Sequence, residues 1–129
     1  MKNIISILVL IVIVLFVGYM LYDNQGIKTI STTELADKMQ ESEGSNDVVF
    51  VDVREPDEYE SGHIEAMINF PLSALKDDHA ALPTEKELVL ICRSGKRSME
   101  AAKILNELGY EKIVSVDGGV MDWEGKLVN

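Results

Sequence analysis

Nineteen consecutive residues near the N-terminus, Ile4 to Tyr22, carry no charge and include only Ser6, Gly18, Tyr19 and Tyr22 as interruptions of an aliphatic run. As a helix rising ~1.5 Å per residue this stretch is about 28 Å long, close to the hydrocarbon thickness of a bilayer. A secretory signal peptide has a shorter apolar region ending in small residues. Val17-Gly18-Tyr19-Met20-Leu21-Tyr22 offers no such A-x-A site, so residues 1–22 are expected to form an uncleaved transmembrane anchor. Tyr19 and Tyr22 suit the membrane–water interface, where an amphipathic ring settles. Lys2 and the terminal amine lie closer to one end of the run than Lys28 and Lys38 lie to the other. That asymmetry favours the N-terminus inside and an extracytoplasmic domain.

The chain has 129 residues, which leaves room for one compact domain besides the anchor. Lys2 is the one basic residue before position 23, so the remainder sets 22 acidic residues against 11 basic ones, a formal charge of −11. A surface so acidic excludes nucleic acid as an expected partner, because phosphate binding needs a basic face. A single cysteine excludes an internal disulfide, and with only His63 and His79 beside it no zinc site is expected. Nothing in the sequence implies a cofactor, and nothing in it speaks to oligomeric state.

Asp23-Asn24-Gln25-Gly26 reads as a linker spanning at most ~14 Å. It places the domain, residues 27–129, close to the membrane surface. Ile27 to Ile30 reads as a strand, and Ser31-Thr32-Thr33-Glu34 as the start of a helix reaching about Gln40. Val48 to Val53 is β-branched and apolar until Asp52, the pattern of a strand buried on both faces. A short helix is expected over Pro56 to Glu60, a short strand near Met67-Ile68-Asn69, and a helical turn over Leu72 to Leu75. Leu88 to Ile91 is the second strong strand. Ser98 to Leu108 then places Ala101, Ile104, Leu105 and Leu108 on one helix face, with Gly109 as a stop. Ile113 to Val116 is the last strand. Strands and helices in alternation imply an α/β domain whose central, mostly parallel sheet is flanked by helices in three layers.

Cys92 ends the apolar run Leu88 to Ile91 and is followed by Arg93-Ser94-Gly95-Lys96-Arg97-Ser98. In open α/β sheets the ligand crevice lies beyond the carboxyl ends of the strands, and the next helix points its free N–H groups at the same place. With Gly95 for flexibility and Arg93, Lys96 and Arg97 for charge, the loop forms an anion cradle. Each of these features favours a thiolate, so the pKa of Cys92 is expected below its usual ~8.5. A lone cysteine is commonly a small buried hydrophobe capping a strand. The glycine and three cations that follow this one argue for chemistry instead.

The segment Cys92 to Ser98 resembles the active-site loop of rhodanese (thiosulfate sulfurtransferase) domains, C-R-x-G-x-R-S. Asp52-Val53-Arg54, Glu58-Tyr59, Gly62-His63-Ile64 and Asn69-Phe70-Pro71 resemble the family's D-V-R…E-[YF]…G-H-I-x-G-A-x-N-x-P, and Gly118-Gly119 with Trp123 its G-G-x-x-x-W. The likeness covers about residues 27–125. Two departures stand out: Ala66-Met67 replaces the usual Gly-Ala, and the end after Trp123 lacks the usual G-x-P.

The resemblance implies that Cys92 takes sulfur from thiosulfate or a related anionic donor as a persulfide. A thiol, cyanide or protein acceptor then collects it, with no cofactor. It further implies that Arg93, Ser94, Gly95, Lys96 and Arg97 bind the anion, with Asp52, Arg54 and Ser98 in support. Asp52 and Arg54 are expected to pair and fix neighbouring loops, His63 to hydrogen-bond backbone, and Trp123 to form core or pocket wall. A phosphatase or arsenate reductase would carry C-x5-R, whereas Cys92 to Arg97 is C-x4-R. A membrane-tethered binding or sulfur-delivery module with little free turnover is the other function open to this sequence.

Overall fold

The computed structural model describes residues 1–23 and 27–129. Of the expected linker, Asp23 to Gly26, the first residue ends the N-terminal helix and Asn24 to Gly26 lie outside the described residues. Helix α1, Lys2–Asp23, is long and apolar enough to cross a membrane, and its large hydrophobic side chains are exposed along its length.

The domain follows as β1 (Ile27–Ile30), α2 (Thr32–Glu41), β2 (Val48–Asp52), α3 (Pro56–Glu60), β3 (Ile68–Asn69), α4 (Leu72–Asp78), β4 (Glu87–Ile91), α5 (Lys96–Glu107), β5 (Ile113–Val116) and α6 (Gly119–Asp122). The sheet has the order β1-β5-β4-β2-β3, and all four pairings are parallel. Ser31 caps α2 as expected, its Oγ accepting the Glu34 N–H at 3.1 Å.

Strand β4 lies between β2 and β5, and its side chains alternate between two apolar clusters. Leu88 and Leu90 join Val51, Val53, Leu75, Ala101 and Leu105 on the face covered by α4 and α5. Val89 and Ile91 join Leu35, Val114 and Val116 on the face covered by α2, with Tyr59, Val120 and Trp123 packed at its margin. These four side chains, Leu88 to Ile91, are fully buried, each worth about 1.5–3 kcal/mol of transfer free energy. Neither cluster contains a described residue before Ile27.

Helix ends differ from the sequence expectations for local reasons. Helix α4 continues to Asp78 and then tightens into a 3₁₀ turn, His79–Ala81, instead of stopping at Leu75. Helix α5 begins at Lys96, two residues early, because Gly95 adopts φ 103° as its N-cap. It buries Ser98, Ala101, Ala102 and Leu105, while Leu108, expected on that face, follows the last helical residue and is 42% exposed.

The two sequence departures are accommodated. Met67 closes the turn after His63 with its N–H on the Ile64 carbonyl at 2.9 Å, and its side chain is buried in the second cluster. The short C-terminal segment returns to form an antiparallel bridge, with His63 N–H on Val128 O at 2.9 Å and Val128 N–H on His63 O at 2.8 Å.

Candidate active site

Cys92 directly follows β4, so the strand delivers its side chain to the carboxyl edge of the sheet. The chain then turns through Gly95 into α5, which returns the free N–H groups of the helix start to the sulfur. The Gly95 N–H donates to Cys92 Sγ at 3.0 Å. Ser98 Oγ lies 3.6 Å from the sulfur and 3.0 Å from the Gly95 carbonyl. Burial pushes the Cys92 thiol up, but hydrogen bonds from the Ser98 backbone and hydroxyl and from the Gly95 and Ser94 N–H groups outweigh it and hold the thiol below its ordinary value. Cys92 is 1% exposed and also packs into the α5-side cluster. The packing of a buried strand-end hydrophobe and hydrogen bonds that favour a thiolate therefore meet in one residue.

A second glycine fixes the loop from below. Val120 N–H donates to the Cys92 carbonyl at 2.9 Å and Met121 N–H to the Arg93 carbonyl at 3.0 Å, so the start of α6 lies directly against the cysteine loop. A Cβ on Gly119 would come within 2.4 Å of both carbonyl oxygens. Only glycine tolerates that approach at φ 61°.

The three loop cations are not equivalent. Arg97 is half-buried and makes a bidentate ion pair with Glu58 of α3, Nη1 to Oε1 at 2.6 Å and Nη2 to Oε2 at 2.8 Å. The Glu58 carboxylate also accepts the Glu55 N–H at 3.2 Å, a contact that caps α3. Arg97 bonding, partly opposed by burial, lowers the Glu58 pKa from 4.5 to about 2. Arg93 and Lys96 are exposed and make no ion pair among the described residues. Ser94 is exposed beside them.

Asp52 and Arg54 form the buried pair, Arg54 Nη2 to Asp52 Oδ2 at 2.8 Å. Arg54 Nη2 also reaches the Gly62 carbonyl at 2.8 Å, and Asn69 Nδ2 donates to the Asp52 and Arg54 carbonyls at 3.0 and 2.8 Å. The pair ties the loops after β2 and α3 together, and Asp52 lies beside Ile91 in the sheet, one residue before the cysteine. His63 Nδ1 meets the Tyr59 carbonyl at 2.9 Å, and its ring stacks on Tyr59 at 3.7 Å. Trp123 packs against the second cluster.

Sequence reasoning missed two contributors. Glu58 was legible only as part of a family pattern, because its partner lies 39 residues away. Ser115 was not singled out, yet it is 1% exposed and donates its hydroxyl to Ser98 Oγ at 3.0 Å. The available signal was a lone polar residue within Ile113–Val116.

A parallel α/β domain with one cysteine held by helix-start N–H groups beyond its central strand belongs to the rhodanese-like family, whose pattern matches residues 31–126. The chain is 40% identical over 100 residues to the Bacillus subtilis protein named "Putative sulfurtransferase YtwF", covering 78% of this chain and 93% of that one. It is 40% identical over 89 residues to the thiosulfate:glutathione sulfurtransferase of Saccharomyces cerevisiae, covering 59% of this chain and 64% of that one. Among solved structures it resembles a rhodanese-like domain protein from Staphylococcus aureus with a TM-score of 0.69 and 30% identity, over 79% of this chain and 98% of that one. Relatives named as sulfurtransferases support sulfur transfer as the general chemistry of this chain.

Proposed function

We propose that residues 27–129 form a sulfurtransferase domain in which Cys92 carries sulfur as a persulfide between an anionic donor such as thiosulfate and a thiol, cyanide or protein acceptor. The Cys92 thiolate attacks the outer sulfur of thiosulfate. The donor S–S bond breaks, and its electron pair leaves with sulfite. An acceptor thiolate or cyanide then attacks the outer sulfur of the persulfide, and the Cys92 thiolate returns. The observation that carries this reading is the Gly95 N–H on Cys92 Sγ at 3.0 Å, at the start of α5. A helix start of this kind stabilises the thiolate without a general base.

The roles of the other residues follow from their surroundings. Arg93 and Lys96, free of carboxylate partners among the described residues, attract the doubly charged donor. Arg97, shared with Glu58, anchors the helix start and supplies a fixed field rather than a mobile clamp. Ser94 and Gly95 give backbone donors, Ser98 a hydroxyl, and Asp52 with Arg54 the support behind the loop. Residues 1–22 anchor the chain in a membrane through Ile4 to Tyr22, residues 23–26 link anchor and domain, and the positive charges nearest the run, Lys2 and the terminal amine, favour an extracytoplasmic domain.

Initial rates of thiocyanate formation, with thiosulfate and cyanide varied together, test the proposal. Parallel double-reciprocal lines are expected for two transfers through one covalent intermediate. Intersecting lines, or activity that survives Cys92→Ser, would remove the persulfide step. Helix α1 favours a second reading, a membrane-tethered delivery module. That reading expects Cys92 to load sulfur while turnover with small acceptors stays negligible.

A further inference from the structure

Ser115 is a buried hydroxyl to which the mechanism above gives no task. It is the one polar side chain of β5, pairs with Leu90 of β4, and donates to Ser98 Oγ at 3.0 Å. Alanine at this position would carry no polar group into the core, so burial by itself gives no reason for a hydroxyl here. We propose that Ser115 is a positioning residue for the sulfur chemistry of Cys92, acting through the hydroxyl of Ser98. The proposal rests on reading Cys92 as the persulfide-forming nucleophile.

Proton accounting gives the mechanism. A serine hydroxyl has one proton to give and two lone pairs that accept. Ser98 receives the Ser115 proton on one lone pair, and its own proton can reach either the Gly95 carbonyl at 3.0 Å or the sulfur at 3.6 Å. When Cys92 is a thiol, its S–H donates to Ser98 Oγ and the Ser98 proton rests on Gly95. When Cys92 is a thiolate, the Ser98 proton turns to sulfur. The Gly95 carbonyl is not orphaned by that turn, because it also accepts the Met99 N–H at 3.3 Å.

Ser115 favours the second arrangement in two ways. Its donation polarises the Ser98 O–H and strengthens the bond that hydroxyl makes to the thiolate. By drawing on the same oxygen it also makes Ser98 Oγ a poorer acceptor for the Cys92 S–H on the other lone pair. The thiolate occurs twice in each cycle, as the nucleophile that attacks the donor and as the leaving group when the acceptor breaks the Sγ–S bond. Ser115 thus serves both half-reactions without touching substrate.

Other charges surround Cys92, and none is altered by truncating Ser115. On its own loop and α5 are Arg93, Lys96 and Arg97, the last bound to Glu58 of α3. The Asp52–Arg54 pair follows from β2, while Asp117 lies against Gly95 and Asp122 against Gly118. A changed pH profile in Ser115→Ala therefore reports the hydroxyl relay.

The experiment uses the full chain in detergent micelles and follows alkylation of Cys92 by iodoacetamide against pH. Persulfide formation from thiosulfate and its discharge to cyanide are measured in single turnovers. Ser115→Ala is expected to raise the alkylation midpoint by about 0.5 to 1 pH and to slow alkylation below that midpoint about threefold to tenfold, the worth of one hydrogen bond. In a Ser98→Ala background the same substitution is expected to shift nothing further, and Ser115→Thr to restore the wild-type midpoint. Val114→Ala, which truncates a buried side chain on the opposite face, should lower the melting temperature and leave the midpoint alone. An unmoved midpoint in Ser115→Ala, an equal shift without the Ser98 hydroxyl, or an equal shift in Val114→Ala would each overturn the proposal. If wild type gains no sulfur from thiosulfate, the sulfurtransferase reading fails by itself, and the alkylation profile still decides the role of Ser115.

Discussion

Replacing Glu58 by Gln removes the charge that holds Arg97 at the start of α5 and leaves a side chain of the same shape. The Glu58 pKa is lowered from 4.5 to about 2, chiefly by its bidentate bonds to Arg97. At full strength that depression equals about 3 kcal/mol. The two side chains are 32% and 30% exposed, and solvent screening reduces the figure to about 1–2 kcal/mol. The folded-state value lies below the unfolded one, so the carboxylate stabilises the fold above about pH 4.5. Its contribution is lost as pH falls through about 2. Urea unfolding of residues 23–129 should find Glu58→Gln less stable by about 1–2 kcal/mol at pH 7, with the difference shrinking to about half or less near pH 3. A gap of constant size from pH 7 to pH 3, or none at pH 7, would refute the assignment of Arg97 to Glu58.

Other perturbations read other parts of the account. Gly119→Ala forces a side chain to φ 61° within 2.4 Å of the Cys92 and Arg93 carbonyls, and is expected to cost about 2–5 kcal/mol in urea unfolding. A wild-type midpoint would mean that α6 does not pin the loop. Arg54→Met leaves Asp52 buried without its partner and should destabilise by about 3–5 kcal/mol, read by the same assay. Residues 23–129 are expected to be soluble and monodisperse by size-exclusion chromatography, since both apolar clusters begin at or after Ile27. Aggregation of that fragment would place the boundary of the anchor elsewhere.

Sequence and structure agree where one residue pattern had one physical solution. Val48 to Val53 reads as a strand buried on both faces because nothing polar interrupts it before Asp52, and the structure bears this out from Val51 onward, while Val48 to Phe50 are half-buried. Leu88 to Ile91 reads as a second strand, and its side chains divide between the two clusters. The loop after Cys92 was legible because strand end, glycine and helix start follow one another within a few residues. Helix ends were less so. The start of α5 depends on the backbone angle of Gly95, which also serves as a loop residue. Leu108 kept the apolar spacing beyond the last helical residue, where that spacing no longer points inward.

Pairings over long sequence separations were the hardest to read. The partnership of Glu58 with Arg97, and that of Ser115 with Ser98, exist only because parallel crossovers bring distant segments to the same sheet edge. Composition registers three cations in the loop. Only the fold separates the one tied to a carboxylate from the two that make no ion pair among the described residues.

The central claim is that Cys92 holds transferable sulfur. Intact-mass spectrometry of residues 23–129, reduced and then incubated with thiosulfate beside the Cys92→Ser variant, tests it most directly. The account predicts a gain of one sulfur atom that cyanide removes and that the variant, still folded by circular dichroism, never acquires. An unmodified wild-type mass, with Cys92 alkylated at the pH of an ordinary thiol, would contradict it.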